Sequence, residues 1–148
     1  MTANYFVDTN ILVYFRDASE SDKQRIAKNW LSALCWKSRT GRLSYQVLNE
    51  YYVTVTRKRR PGLNPQEARA DVRSLYAWNP IAIDRQAMET AWAIQDRYRF
   101  SWWDALIFSA AQKSGCDYLL SEDMQHEQDV NGIVVLNPFL SGIELPSE

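Results

Sequence analysis

Histidine is almost missing from this chain: His126 is the single one in 148 residues. A zinc site of the usual His/Cys type needs several such ligands at short spacing, so that class is excluded. Cysteine is nearly as scarce. Cys35 and Cys116 lie far apart, match no metal-ligand spacing, and read as buried, unpaired thiols in a reducing cytoplasm. No apolar run approaches the roughly 20 residues that a membrane span needs. The opening Met-Thr-Ala-Asn-Tyr-Phe-Val-Asp has neither the charged nor the apolar region of a signal peptide. A cytoplasmic protein without membrane association is expected. Net charge is also close to nil, with 17 Lys plus Arg against 18 Asp plus Glu. Binders of nucleic acid usually lean on basic surface. If the substrate is such a polymer, something other than net charge must neutralise its phosphates locally, and a bound divalent cation would do so.

What the chain has is core material. Apolar residues make up 46% and aromatic ones 13%, enough to fill one hydrophobic core. Repeats, low-complexity tracts and long linkers are absent, so a single domain over 1–140 with a short tail at 141–148 is expected. Tyr5-Phe6-Val7 is a β-favouring run that stops at Asp8-Thr9-Asn10, three good helix caps, before the apolar turn Ile11 to Phe15. Ser21 with Gln24 resembles a capping box, and Ile26, Trp30, Leu31 and Leu34 recur at helical spacing to about Arg39, where Gly41 closes the helix. Leu43-Ser44-Tyr45 and Ile81-Ala82-Ile83 are candidate strands, as are Tyr118-Leu119-Leu120 and Ile133 to Leu136. Helices are predicted from Val47 to Val55, from Asn64-Pro65 to about Trp78, from Asp84 to about Tyr98, and from Ser101 to Ser114 before Gly115. Pro61-Gly62 breaks the chain between the first two. Strands alternating with helices imply an α/β sandwich around a mainly parallel sheet.

Four acids stand out by their placement. Asp8 follows the first strand and Asp123 follows Tyr118-Leu119-Leu120, while Glu50 lies about one turn into the helix after Tyr45. Asp104 is in the first turn of the helix that feeds the strand at Tyr118, and a right-handed crossover brings that turn to the carboxyl ends of the strands. All four converge on the edge where open α/β sheets bind ligands. Crowded carboxylates raise one another's pKa unless positive charge intervenes. A hard cation with oxygen ligands, Mg²⁺ or Mn²⁺, resolves the conflict and can activate water at a phosphodiester. Each acid also has a plain alternative: a turn or cap for Asp8 and Asp123, a capping box with Ser101 for Asp104, a solvated helix position for Glu50.

Four blocks resemble the motifs of PIN-domain ribonucleases. They are Phe6-Val7-Asp8-Thr9-Asn10-Ile11-Leu12-Val13-Tyr14, Ser44-Tyr45-Gln46-Val47-Leu48-Asn49-Glu50-Tyr51, Phe100-Ser101-Trp102-Trp103-Asp104-Ala105-Leu106-Ile107 and Leu119-Leu120-Ser121-Glu122-Asp123-Met124-Gln125, with Asn137-Pro138-Phe139 similar to the usual ending. Order and spacing agree across nearly the whole chain, and the compact length looks most like the VapC-type toxins of bacterial toxin–antitoxin pairs. The resemblance implies a PIN-like α/β/α sandwich and a Mg²⁺-dependent endoribonuclease, held inactive by a small antitoxin and commonly homodimeric. By motif position Asp8 and Asp104 would be direct metal ligands, and Glu50 and Asp123 would complete the site directly or through water. Thr9, Asn10 and Ser121 would support them. One departure is that Glu127 stands where a glycine often follows the Met-Gln-His stretch.

Arg57-Lys58-Arg59-Arg60 is the strongest basic run and reads as a solvated helix end ahead of an RNA contact. His126 reads as a surface residue. Trp102-Trp103 could stack on bases, but core packing with at least one ring buried is the preferred reading. Trp30, Trp36, Trp78 and Trp92 read as core or partner-facing. A dehalogenase-type phosphatase also uses an Asp after the first strand, but it wants a second Asp where Asn10 stands. A PIN nuclease of RNA processing without a toxin role, and a catalytically silent PIN binding module, are the remaining alternatives.

Overall fold

Three parallel pairings build the centre of the molecule. In the computed structural model, which describes residues 2–37, 39–58 and 62–146, β1 (Tyr5–Val7) lies between β2 (Gly41–Arg42) and β3 (Tyr118–Leu120). β3 pairs in turn with β5 (Ile133–Leu136), and β4 (Asp129–Val130) closes the edge antiparallel to β5. The order β2-β1-β3-β5-β4 is the mainly parallel sheet expected, and helices complete an α/β/α sandwich.

The helices are α1 (Thr9–Phe15), α2 (Ser21–Ser32), α3 (Tyr45–Val53), α4 (Pro65–Leu75), α5 (Arg85–Tyr98) and α6 (Trp102–Lys113). Wider turns extend α2 over Ala33–Lys37 and α3 over Thr54–Lys58, and a 3₁₀ turn, Tyr76–Trp78, follows α4. Short polar side chains start five of them, α1 by Asp8, which accepts from the Thr9 N–H. The Asn64, Asp84 and Ser101 side chains accept from the backbone N–H of Gln66, Ala87 and Asp104, and Ser44 accepts from Val47. Helix α6 is buried from Ala105 through Ala111, and Trp30, Phe6, Tyr51 and Phe108 are the largest side chains of the core.

Several local expectations need correction. Ser21 is the first residue of α2 and not its cap; Glu20 occupies that position without a side-chain bond, and the Gln24 amide donates to the Phe15 carbonyl. Gly41 does not close α2. It sits in β2, where Trp78 lies so near that a Cβ would come within 2.5 Å of the indole ring. Arg39, at φ 55°, takes the left-handed conformation after the helix instead. The second strand falls at Gly41–Arg42 because Ser44 and Tyr45 are used as the cap and first residue of α3. Ile81-Ala82-Ile83 contributes only a single bridge from Ile81 to Ser44. Cys35 is half-buried and Cys116 buried, both unpaired thiols. Of the basic run, Arg57 is exposed, and Arg59 and Arg60 lie outside the described residues, as does Pro61.

Candidate active site

The register of β1 against β3 fixes the centre. Val7 pairs with Leu120, and the Asp8 N–H donates to the Leu120 carbonyl at 3.0 Å, so Asp8 and Ser121 leave the sheet side by side. The Ser121 hydroxyl donates to Asp8 Oδ2 at 2.7 Å and receives the Asp123 N–H at 3.2 Å. Asn10, the second residue of α1, spans the same gap. Its Nδ2 reaches Asp8 Oδ2 at 3.3 Å, Asp123 Oδ2 at 3.2 Å and Ser121 Oγ at 3.4 Å, and its carbonyl oxygen accepts the Glu122 N–H. The Thr9 N–H caps Asp8 Oδ1 at 2.7 Å, and the Thr9 hydroxyl donates to Glu50 Oε2 at 2.7 Å. The three supporting residues inferred from sequence therefore all touch the acids.

Glu50 is held from its other side by Gln46, one helical turn earlier in α3. Gln46 Nε2 donates to Glu50 Oε1 at 3.0 Å and to the Trp103 carbonyl at 3.2 Å, tying α3 to the start of α6 beside Asp104. Gln46 is buried, and its Oε1 is left without a partner. Sequence reasoning missed this residue, although its i,i+4 spacing from Glu50 places both on one helix face.

The four acids share one electrostatic neighbourhood. Burial drives the Asp8 carboxyl up to about 6, against the lowering effect of its bonds from Ser121 and Thr9, and the charges of Glu50 and Asp123 push the same way. Asp104 is also raised, by burial first and then by Asp123 and Glu50, with Ser101 opposing. Among the described residues, the hydrogen bonds to these carboxylates come from neutral donors: hydroxyls, side-chain amides and backbone N–H groups. As the side chains stand, no three His, Cys, Asp or Glu groups among the described residues close on one ion. The donor set, all oxygen and short of counter-charge, nevertheless suits a hard divalent cation better than any other occupant.

A groove of about 1170 Å³ opens over this centre, lined by Thr9, Asn10, Gln46, Glu50, Trp103 and Asp123 among others. Trp103 is 62% exposed there, and neither it nor Trp102 is the buried core ring expected of the pair. Trp102 is half-buried and stacks on Trp92 at 6.0 Å. Beside Asp123, Glu122 is held by Lys23 and, at 2.6 Å, by the Tyr14 hydroxyl, which anchors the acidic loop to α1 and α2. His126 is half-buried, and its Nδ1 accepts the Asn137 N–H at 3.0 Å. The single histidine thus fastens the loop to the end of β5.

These features meet in known proteins. The PIN domain family model matches residues 5–128, and the chain belongs to that family. Nucleases of this family generally use divalent metal ions. Among solved structures, the chain is similar to a toxin–antitoxin complex from Klebsiella pneumoniae, at 22% identity and TM-score 0.60 over 88% of this chain and 96% of that one. It is also similar to VapC20 of Mycobacterium tuberculosis, a toxin that cleaves the sarcin–ricin loop, at 21% identity and TM-score 0.57 over 81% and 92%. VapBC2 of Rickettsia felis, bound to a DNA fragment from its promoter, matches at 15% identity and TM-score 0.59 over 88% and 96%. No curated protein sequence matches significantly. Among the described residues no helix is long and apolar enough to cross a membrane.

Proposed function

We propose that the chain is a Mg²⁺-dependent endoribonuclease and the toxin of a VapC-type toxin–antitoxin pair. The observation that carries this reading is that Asp8 and Asp104 both feel the charges of Glu50 and Asp123, which line the groove, so that acids from four separate segments act on one another with neutral donors between them. Such an arrangement is electrostatically costly for a folded chain and is offset only when a cation arrives. Asp8 and Asp104 would hold Mg²⁺, or Mn²⁺ in its place, directly, and Glu50 and Asp123 directly or through water. When bound, the ion supplies an activated water and charge stabilisation at a phosphodiester.

The rest of the work falls to the protein's own groups. Ser121 and Asn10 hold the Asp8 and Asp123 carboxylates at fixed separation, and Thr9 and Gln46 fix Glu50 from both oxygens. Because these donors are neutral, they orient the acids without cancelling the charge that a cation needs. Membership of the PIN family supports an RNA substrate, and the toxin–antitoxin complexes that resemble this fold support a small antitoxin partner. A homodimer, the usual state of such toxins, is part of the same proposal.

Purified Asp8→Asn and Asp104→Asn proteins are expected to lose Mg²⁺-dependent RNA cleavage by at least about a hundredfold while their circular dichroism stays that of the parent. Undiminished cleavage by either folded variant would overturn the assignment. Sequencing RNA ends after induction in cells then identifies the target.

A further inference from the structure

No described lysine or arginine lines the acidic groove, although Asp17, Glu20, Glu50, Glu122 and Asp123 all do. A bound cation answers for one phosphodiester. The neighbouring phosphates of an RNA strand still enter a negative field, so cations must wait just outside. Helix α3 separates the groove from a smaller cleft of about 210 Å³, and Tyr45 and Asn49 border both. Along α3, Gln46 and Glu50 face the acids, while Tyr45, Asn49 and Tyr52, spaced i, i+4 and i+7, face the cleft.

The far wall of this cleft is α4 and the turn after it. Arg69, Arg73 and Tyr76 repeat the i, i+4, i+7 spacing and share one exposed face. Arg16, Lys23 and Lys113 are each paired with a carboxylate, whereas Arg69 and Arg73 have no such partner among the described residues. Arg69 lies over the Tyr52 ring at 5.9 Å, a contact that leaves its N–H fork free for a phosphate. Tyr76 and Tyr45 are 50% and 45% exposed, their ring centroids 6.4 Å apart and tilted by 52°. Exposed rings beside unpaired guanidinium groups are what a single strand needs: a face for the base and a cation for the phosphate.

We infer that Tyr45, Arg69, Arg73 and Tyr76 form a subsite for a single-stranded ribonucleotide flanking the bond cut at the acidic centre. This rests on the nuclease reading for its substrate and extends it to a second site across α3. The two arginines hold flanking phosphates, and the tyrosine pair stacks a base without reading its edge.

The test uses the full chain and a short fluorescein-labelled single-stranded RNA, with binding followed by anisotropy in EDTA so that chemistry is off. Relative to the parent, R69Q/R73Q is expected to bind about tenfold more weakly. The slope of log affinity against log salt should fall by about 1.4, roughly 0.7 for each lost phosphate contact on a single strand. Arg69→Lys with Arg73→Lys restores most of the slope, and Tyr76→Ala weakens binding with the slope unchanged. With Mg²⁺ present, R69Q/R73Q should raise KM for a long RNA by a larger factor than for a dinucleotide, which has no flanking phosphates for the arginines to hold. RNA affinity and salt slope unchanged in R69Q/R73Q would overturn the subsite, as would equal losses on long RNA and dinucleotide. Unchanged RNA binding together with a weakened protein partner would also overturn it, in favour of a protein interface. A parent that binds RNA through the arginines yet never cleaves it sinks the nuclease reading alone, so the two failures are distinguishable.

Discussion

Asp8 and Asp71 are the same side chain, both largely withdrawn from water, yet the fold treats them in opposite ways. Asp71 receives two bonds from the Arg16 guanidinium, at 2.8 and 2.6 Å, and a third from the Tyr51 hydroxyl at 2.5 Å. Burial works against its ionisation, but Arg16 and Tyr51 outweigh that and hold its carboxyl below the usual range. Asp8 has equally good hydrogen bonds and no cation, and it sits near two further acids, so its carboxyl is pushed up to about 6. One carboxylate is satisfied within the chain and fastens α1 to α4. The other is left short of a counter-charge. A buried acid with good geometry and missing charge marks a place where something from outside is meant to bind.

Breaking the contrast at Asp8 gives the largest effect. The folded carboxyl titrates near 6 and the unfolded one near its ordinary value of about 3.9, so the native state holds this proton longer as pH rises. The stability that the bound proton confers is present below about pH 4 and is lost between about pH 4 and 6. Metal-free Asp8→Asn, besides losing cleavage, should therefore gain on the parent as pH rises to 7. The pH-dependent part of the gain approaches the roughly 3 kcal/mol that two pKa units represent, while the net advantage at pH 7 is about 1–2 kcal/mol, because asparagine turns an N–H towards existing donors at every pH. Melting curves at several pH values in EDTA check this, and a parent-minus-variant difference flat from pH 4 to 7 would contradict it. Saturating Mg²⁺ should then stabilise the parent and not the variant.

The opposite mutation sharpens the comparison. Asp71→Asn removes the charge that Arg16 and Tyr51 converge on, and it should cost about 2 kcal/mol in chemical denaturation. Cleavage per folded molecule should stay within about twofold of the parent, since Asp71 lies outside the acidic groove. The smallest effect is expected at Glu127, whose φ of 68° is a left-handed conformation that suits glycine. Glu127→Gly should raise stability by about 0.5–1 kcal/mol in the same assay, with the acidic centre unaffected.

That last position also shows how much of the molecule could be read in advance. The family-usual glycine has a cause in backbone geometry, and the departure was visible as Glu127 before any coordinates. Asp8, Asp104 and Asp123 stood out as candidates because each sits beside a strand end or helix start that local sequence announces, and Glu50 because it lies in the helix after Tyr45, whereas Thr9, Asn10 and Ser121 were named only by the motif resemblance. Gly41 was misread because its reason is the Trp78 ring, nearly forty residues away, and no local pattern carries that contact. The strand placed at Leu43-Ser44-Tyr45 failed for a different reason. Ser44 serves as a helix cap, and capping won over β propensity. Edge strand β4 was overlooked although Asn131-Gly132 announces its hairpin; both residues have positive φ, at 53° and 89°. The Trp102-Trp103 pair was misread as core packing, since a tryptophan at a helix start is equally able to face a groove, and Trp103 does.

Asn10 bridges Asp8 and Asp123, 115 positions apart, and that bridge depends on β3 having paired with β1. Long-range strand pairing is a slow step in folding, completed only after much of the chain exists. A nascent polypeptide still emerging from the ribosome therefore cannot assemble its acidic centre: Asp8 itself is seated by Leu120 and Ser121, and all four carboxylates meet only once nearly the whole chain has been made.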